Sequence, residues 1–162
     1  MRRYLYFALT LFLFPLAVQA QAPRCTKTLL RHVYNPQRLV VIEPCVAVTG
    51  TIVDATNGRK RDGIRHEKDG DTHGWIKLDP EFENLLNNGN ENDEDGNMVF
   101  EVVCLYRVSQ KTAVSACRNF QSSIKIPPVG SRVKIVGQLV EEKNHGKWRE
   151  IHPVSSIVVI GR

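Results

Sequence analysis

Cys45-Val46-Ala47-Val48-Thr49-Gly50-Thr51-Ile52-Val53 is a run of β-branched and apolar residues interrupted by one glycine. β-Branched side chains fit a pleated, half-buried surface. A glycine inside such a run marks a sharp bend, which a strand of a small barrel needs. Four more strands are expected after it, at 72–78, 97–104, 132–137 and 147–160. In the third, Met98, Phe100 and Val102 alternate with Val99, Glu101 and Val103. Pro127-Pro128-Val129-Gly130-Ser131 makes the turn before the fourth, and Pro153 bends the fifth. Between the third and fourth strands, Ala113, Val114, Ala116 and Cys117 fall at helix-face spacing and predict a helix over 109–119. A second helix over 80–86 would have Asp79 as N-cap and Pro80 at its first position.

Three strands, a helix and two strands make an all-β chain with the order of a five-stranded OB-type barrel, here over 45–162. Val48-Thr49-Gly50 and Val136-Gly137 add to that likeness. An immunoglobulin-like sandwich needs about seven strands and no central helix. Residues 21–44 form an N-terminal arm, whose apolar run Leu39-Val40-Val41-Ile42 is a candidate edge strand. The fifth strand is expected to pair with strands one and four, bringing Glu150 and His152 to strand one rather than to Glu101.

Met1-Arg2-Arg3, the apolar run 4–18 and Val18-Gln19-Ala20 read as a signal peptide over 1–20, cleaved after Ala20. The run is shorter than the ~20 residues that span a bilayer and contains Pro15, so no stable membrane span is expected after cleavage. The protein is therefore expected to be exported, either periplasmic or secreted. Removing 20 of 162 residues leaves a chain of ordinary single-domain size. Without Arg2 and Arg3, 20 basic residues face 17 acidic ones, too mild a balance to imply nucleic acid by itself. In an oxidising compartment Cys25, Cys45, Cys104 and Cys117 read as two disulfides. Three pairings are open. Cys25–Cys45, tying the arm to the first strand, and Cys104–Cys117, closing the segment after the third, are favoured.

Asp69-Gly70-Asp71-Thr72-His73, the strand 98–103 and His145-Gly146-Lys147-Trp148-Arg149-Glu150-Ile151-His152-Pro153-Val154 resemble a family of small secreted OB-like proteins that end in a Glu-Ile/Leu-His-Pro-Val signature. The resemblance runs from about residue 45 to the C-terminus. It implies fold and export and brings no assigned activity with it. The chain departs from that pattern by a basic insertion at 57–68 and an Asn/Asp-rich one at 87–97.

Three functional readings follow. The first is a binding module for an anionic polymer, nucleic acid or glycan, or for an envelope protein. Its contacts would be Arg59, Lys60, Arg61, Arg65 and Lys68 in the loop after the first strand, with His73, Trp75, His145 and Trp148. Trp75 reads equally well as core. The second is a divalent-metal-dependent hydrolase using Asp69, Asp71, Glu101 and the histidines, with metal binding that is weak at most. Asp69-Gly70-Asp71-Thr72 resembles the calcium-site strand entry of staphylococcal-type nucleases, although Asp-Gly-Asp is also a common turn. Glu91-Asn92-Asp93-Glu94-Asp95-Gly96 imitates half a calcium loop, but Val102 at the twelfth position excludes an EF-hand and leaves weak surface calcium binding or, as the favoured reading, a solvated hairpin loop. The third reading is a purely structural envelope module.

In strand five Trp148, Glu150 and His152 share a face because side chains alternate. Glu150 and His152 are taken as a structural brace, with Trp148 and His152 mostly buried and Glu150 accepting a hydrogen bond. On that view His152→Ala costs roughly 1–3 kcal/mol.

Overall fold

The structure, a computed structural model, describes residues 22–54 and 63–161. The expected leader over 1–20 and the basic residues Arg59, Lys60 and Arg61 lie outside the described residues. Six strands form in chain order: β1 (Leu39–Val53), β2 (Ile64–His66), β3 (Thr72–Leu78), β4 (Met98–Val102), β5 (Arg132–Glu142) and β6 (Arg149–Val159). β1, β3, β4, β6 and β5 close into a five-stranded OB-like barrel through the β1–β3 pairing, and β2 adds a three-residue flap to β3.

The first strand is longer than 45–53. Its extra half takes in Leu39-Val40-Val41-Ile42, which is not a separate edge strand but pairs antiparallel with β5. The register shifts between Val41 and Val46, and Pro44 falls at that irregularity, where its missing N–H costs the ladder least. The arm and the barrel are therefore continuous through β1. Leu29 and Val33 of the arm also bury themselves against Val103, Cys104 and Phe120.

The expected helix over 109–119 does not form. That segment carries a 3-10 turn at Lys111–Ala113 and further turns up to Phe120, held by the Cys104–Cys117 disulfide, and Asn119 turns in a left-handed conformation. The spacing of Ala113 and Cys117 reflects burial of Ala113 and the bridge at Cys117, not a helix face. The segment 80–86 is a 3-10 helix, Pro80–Leu85, and the Asp79 side chain does not cap it. Asp79 instead receives two hydrogen bonds from Arg132 at 2.7 Å and one from the Thr49 hydroxyl. The α-helix of the described residues is α1 (Asn88–Asp93), inside the Asn/Asp-rich insertion expected to be a hairpin loop. Asn87 starts it with a reciprocal capping box to Asn90.

Both favoured disulfides, Cys25–Cys45 and Cys104–Cys117, are present. Among the described residues no helix is long and apolar enough to cross a membrane.

The barrel interior is filled by Val48, Ile52, Ile76, Met98, Phe100, Ile135, Leu139 and Ile151, all fully buried. Gly50 is where β1 pairs with β3 and β5 at once. A Cβ there would stand 2.2 Å from the backbone oxygen of Lys77. Gly50→Ala is therefore expected to cost roughly 2–3 kcal/mol, read as a lower urea midpoint at unchanged slope. A midpoint equal to the parent's would contradict this account of the bend.

Candidate functional site

On β3, β4 and β6 the residues that alternate with the core point to the outer face of the barrel wall, and there the polar side chains converge. His73 lies opposite Glu101 across the β3–β4 pair. β6 runs parallel to β4, with Val99 beside Glu150 and Phe100 beside Ile151. This corrects the expected strand order: β6 pairs with β5 and β4, not with β1, so His152 reaches Glu101. Each oxygen of Glu101 meets a histidine. Nδ1 of His73 is 3.0 Å from Oε1, and Nδ1 of His152 is 2.9 Å from Oε2. The same nitrogen of His152 lies 3.1 Å from Glu150 Oε1. Its Nε2 faces Asp71 Oδ2 at 3.6 Å, beyond hydrogen-bond distance, so charge alone links that pair. Asp71 Oδ1 accepts the Cys104 N–H at 2.8 Å.

Arg38, at the end of the arm, closes this network from outside. Its guanidinium donates to Glu142 and lies 3.6 Å from both Glu101 and Glu150. Neither Arg38 nor Glu142 stands out in the sequence. Arg38 belongs to the arm and Glu142 to a charged-looking strand end, and only the β1–β5 ladder brings them together.

Burial works against charge on Glu101 and His152, and their mutual attraction overcomes it. The His152 imidazolium, with hydrogen bonds from both histidines, holds the Glu101 carboxyl well below the usual carboxylate range. Glu101, Asp71 and Glu150 in turn hold the His152 proton well above the ordinary value of 6.5. The stabilisation from His152 is thus complete below about pH 6.5 and is lost as pH rises through its folded value. That from Glu101 is present above about pH 4.5 and is lost as pH falls through its own.

Above the network opens a cleft of about 780 Å³. His73 and Trp75 form part of its wall, Arg38 and Glu101 its floor, and Trp148 with His145 one rim. That rim continues into α1, which packs against the 146–148 turn and which Asn90 fastens to the barrel by donating to the Arg149 carbonyl at 2.8 Å and accepting the Arg149 N–H at 3.0 Å. The cleft is acidic. Glu67 and Asp69 line it beside β3, Asp93, Glu94 and Asp95 at the end of α1, and Glu101, Glu142 and Glu150 on the strands. Against these eight carboxylates stand Arg38, Arg65, His73 and His145, so the lining stays negative even with both histidines charged.

Of the expected contact residues, Arg65, His73, Trp75, His145 and Trp148 all line this cleft, while Lys68 lines a separate groove with His66 and Tyr106. Trp75 is 2% exposed, and its indole N–H donates to Glu94 at 2.5 Å. Trp148 is half-buried rather than mostly buried and donates to Glu150 at 3.0 Å. His152 is fully buried, and Glu150 accepts from both Trp148 and His152.

One donor atom each of Asp71, Glu101 and His152 lie within 4.8 Å of one another. All three are enclosed, and Nδ1 of His152 is already engaged by two carboxylates. Asp69 stands apart at the cleft edge, accepting the Asp71 N–H at 3.1 Å. Sequence reasoning missed Glu94 as a site residue. Its place in a mock calcium loop was the only signal.

Burial, followed by the charge of Asp71, pushes the Asp69 carboxyl up to about 6 from 3.8. A raised carboxyl destabilises the fold above its folded value and ceases to do so below 3.8, so removing its charge gains stability at neutral pH. Asp69→Asn is expected to raise unfolding free energy at pH 7.5 by about 1 kcal/mol, a figure reduced for its solvent-facing side. The gain should shrink as pH falls from 6 towards 4, and a variant less stable than the parent at pH 7.5 would contradict it. His152→Ala leaves three carboxylates around an empty site and is expected to cost about 3–5 kcal/mol, more than the strand brace alone implied. Adding Glu101→Gln should recover part of that loss in a double-mutant cycle, and a single-variant loss under about 1 kcal/mol would refute the network.

Comparison of the chain with protein-family models, with curated proteins and with solved structures finds no match.

Proposed function

We propose that this chain is an exported binding module whose outer cleft receives a basic segment of a partner protein. The observation that carries the reading is the excess of carboxylate in the cleft lining. Arg38 and His152 are spent on the buried floor, which leaves Asp69, Asp93, Glu94 and Asp95 without a salt-bridge partner among the described residues. A concave surface lined by one sign of charge attracts the opposite sign and speeds its association. That sign does not suit an anionic polymer, and Lys68 faces another groove. The two disulfides support an oxidising compartment, where such a partner would be an envelope or secreted protein.

The test is calorimetric titration of the disulfide-intact protein with a lysine-rich heptapeptide and, separately, with a single-stranded oligonucleotide. The peptide is expected to bind and to weaken steeply with salt. Replacing Asp93, Glu94 and Asp95 by their amides should weaken it about tenfold or more, which corresponds to ~1.4 kcal/mol. Tight oligonucleotide binding with no peptide binding would overturn the reading.

A further inference from the structure

Within the cleft, one corner already holds a cation. The guanidinium carbon of Arg65 sits 5.5 Å from the centroid of the Trp75 ring, the range in which a cation is drawn to an aromatic face. Arg65 Nε donates to Glu67 at 2.7 Å, and Glu94 takes the indole N–H of the same tryptophan. Beside them stands His73, its ring 4.5 Å from that of Trp75. Its Nδ1–H is spent on Glu101, so in the neutral ring Nε2 carries a lone pair. That atom is buried and has no hydrogen-bond partner, on a side chain only 4% exposed in the cleft wall. An aromatic face, two carboxylates and an unused nitrogen acceptor are the set that a planar fork of N–H donors satisfies, and a guanidinium offers five such donors.

Arg65 is poorly secured. It belongs to the three-residue flap β2, which pairs with β3 alone among the described residues, and its side chain is 47% exposed. Short flaps with little burial open at low free-energy cost. Resting on the basic-segment reading of the cleft, we propose that this corner is a guanidinium-recognition site, and that Arg65 is its tethered occupant, displaced when an arginine side chain of the partner enters. The partner segment thus carries arginine rather than lysine at this position, because a planar fork of donors matches an aromatic face and several acceptors at once, whereas an ammonium is a compact point charge.

The experiment compares the parent with Arg65→Ala and Arg65→Gln, both checked by thermal melting, since an exposed flap residue is not needed for folding. Each is titrated with N-acetyl-arginine amide, N-acetyl-lysine amide and the uncharged N-acetyl-citrulline amide, followed by calorimetry and Trp fluorescence. Removing a competitor that fills the site in most molecules raises apparent affinity by the inverse of the free fraction. Both variants should therefore bind the arginine probe about tenfold tighter than the parent, and tighter than the lysine probe, with citrulline silent. If the parent binds the lysine-rich heptapeptide but neither variant gains affinity for the arginine probe, the tethered-occupant inference fails and the cleft reading stands. Equal binding of citrulline and arginine would refute recognition of the charge. If no cationic probe binds any of the three proteins, both readings fall.

Discussion

The carboxylate of Glu101 sits between His73 and His152, 3.0 and 2.9 Å from their ring nitrogens, and the strands, the arm and the cleft are arranged around it. A carboxylate and an imidazolium enclosed by a barrel wall are costly to desolvate and persist only when nearly every lone pair and proton finds a partner. The chain meets part of that demand with groups from four places in the sequence, His73 on β3, Glu101 on β4, Glu150 and His152 on β6, and Arg38 from the arm, while Asp71 Oδ2, His73 Nε2 and His152 Nε2 stay without a hydrogen-bond partner among the described residues. No two of the three strands make the site alone. The parallel β4–β6 pairing inside the barrel is the same contact that puts His152 on Glu101, so the network depends on that seam.

The arm follows from this requirement. Arg38 lies one residue before β1 and supplies the cation that Glu142, Glu150 and Glu101 share. Its approach is fixed by the Cys25–Cys45 bridge, by Leu29 and Val33 packed on the disulfide-closed segment after β4, and by the His32 ring stacked on Phe120 at 3.9 Å. An arm that looked like an appendage is part of the wall. The same arrangement shapes the cleft, because the buried cations are committed to the floor. What remains at the rim is carboxylate, and the only guanidinium there, among the described residues, is Arg65 on its flap.

Local pattern carried much of the fold. β3 was legible to the residue because apolar side chains, a glycine and β-branched residues stand between clear turn signals, and the alternation at Met98–Val102 located β4. Where helix-face spacing suggested a helix over 109–119, the disulfide at Cys117 and burial of Ala113 had produced the same spacing. The order of strands was misread because pairing of distant strands leaves no local trace. That single misplacement kept Glu150 and His152 from being joined to Glu101. The participants Asp71, His73, Glu101, Glu150 and His152 were all visible as a dense set of polar groups, whereas Arg38 and Glu142 look like ordinary surface charges until the β1–β5 ladder places them.

The most direct test is long-range proton–nitrogen NMR of the histidine rings across a pH titration. His152 is expected to remain an imidazolium, both ring nitrogens protonated, well above pH 6.5, and Glu101→Gln to lower the pH at which it gives up its proton. A His152 ring that is neutral at pH 6, or that titrates identically with and without the Glu101 carboxylate, would contradict the network as the centre of the fold.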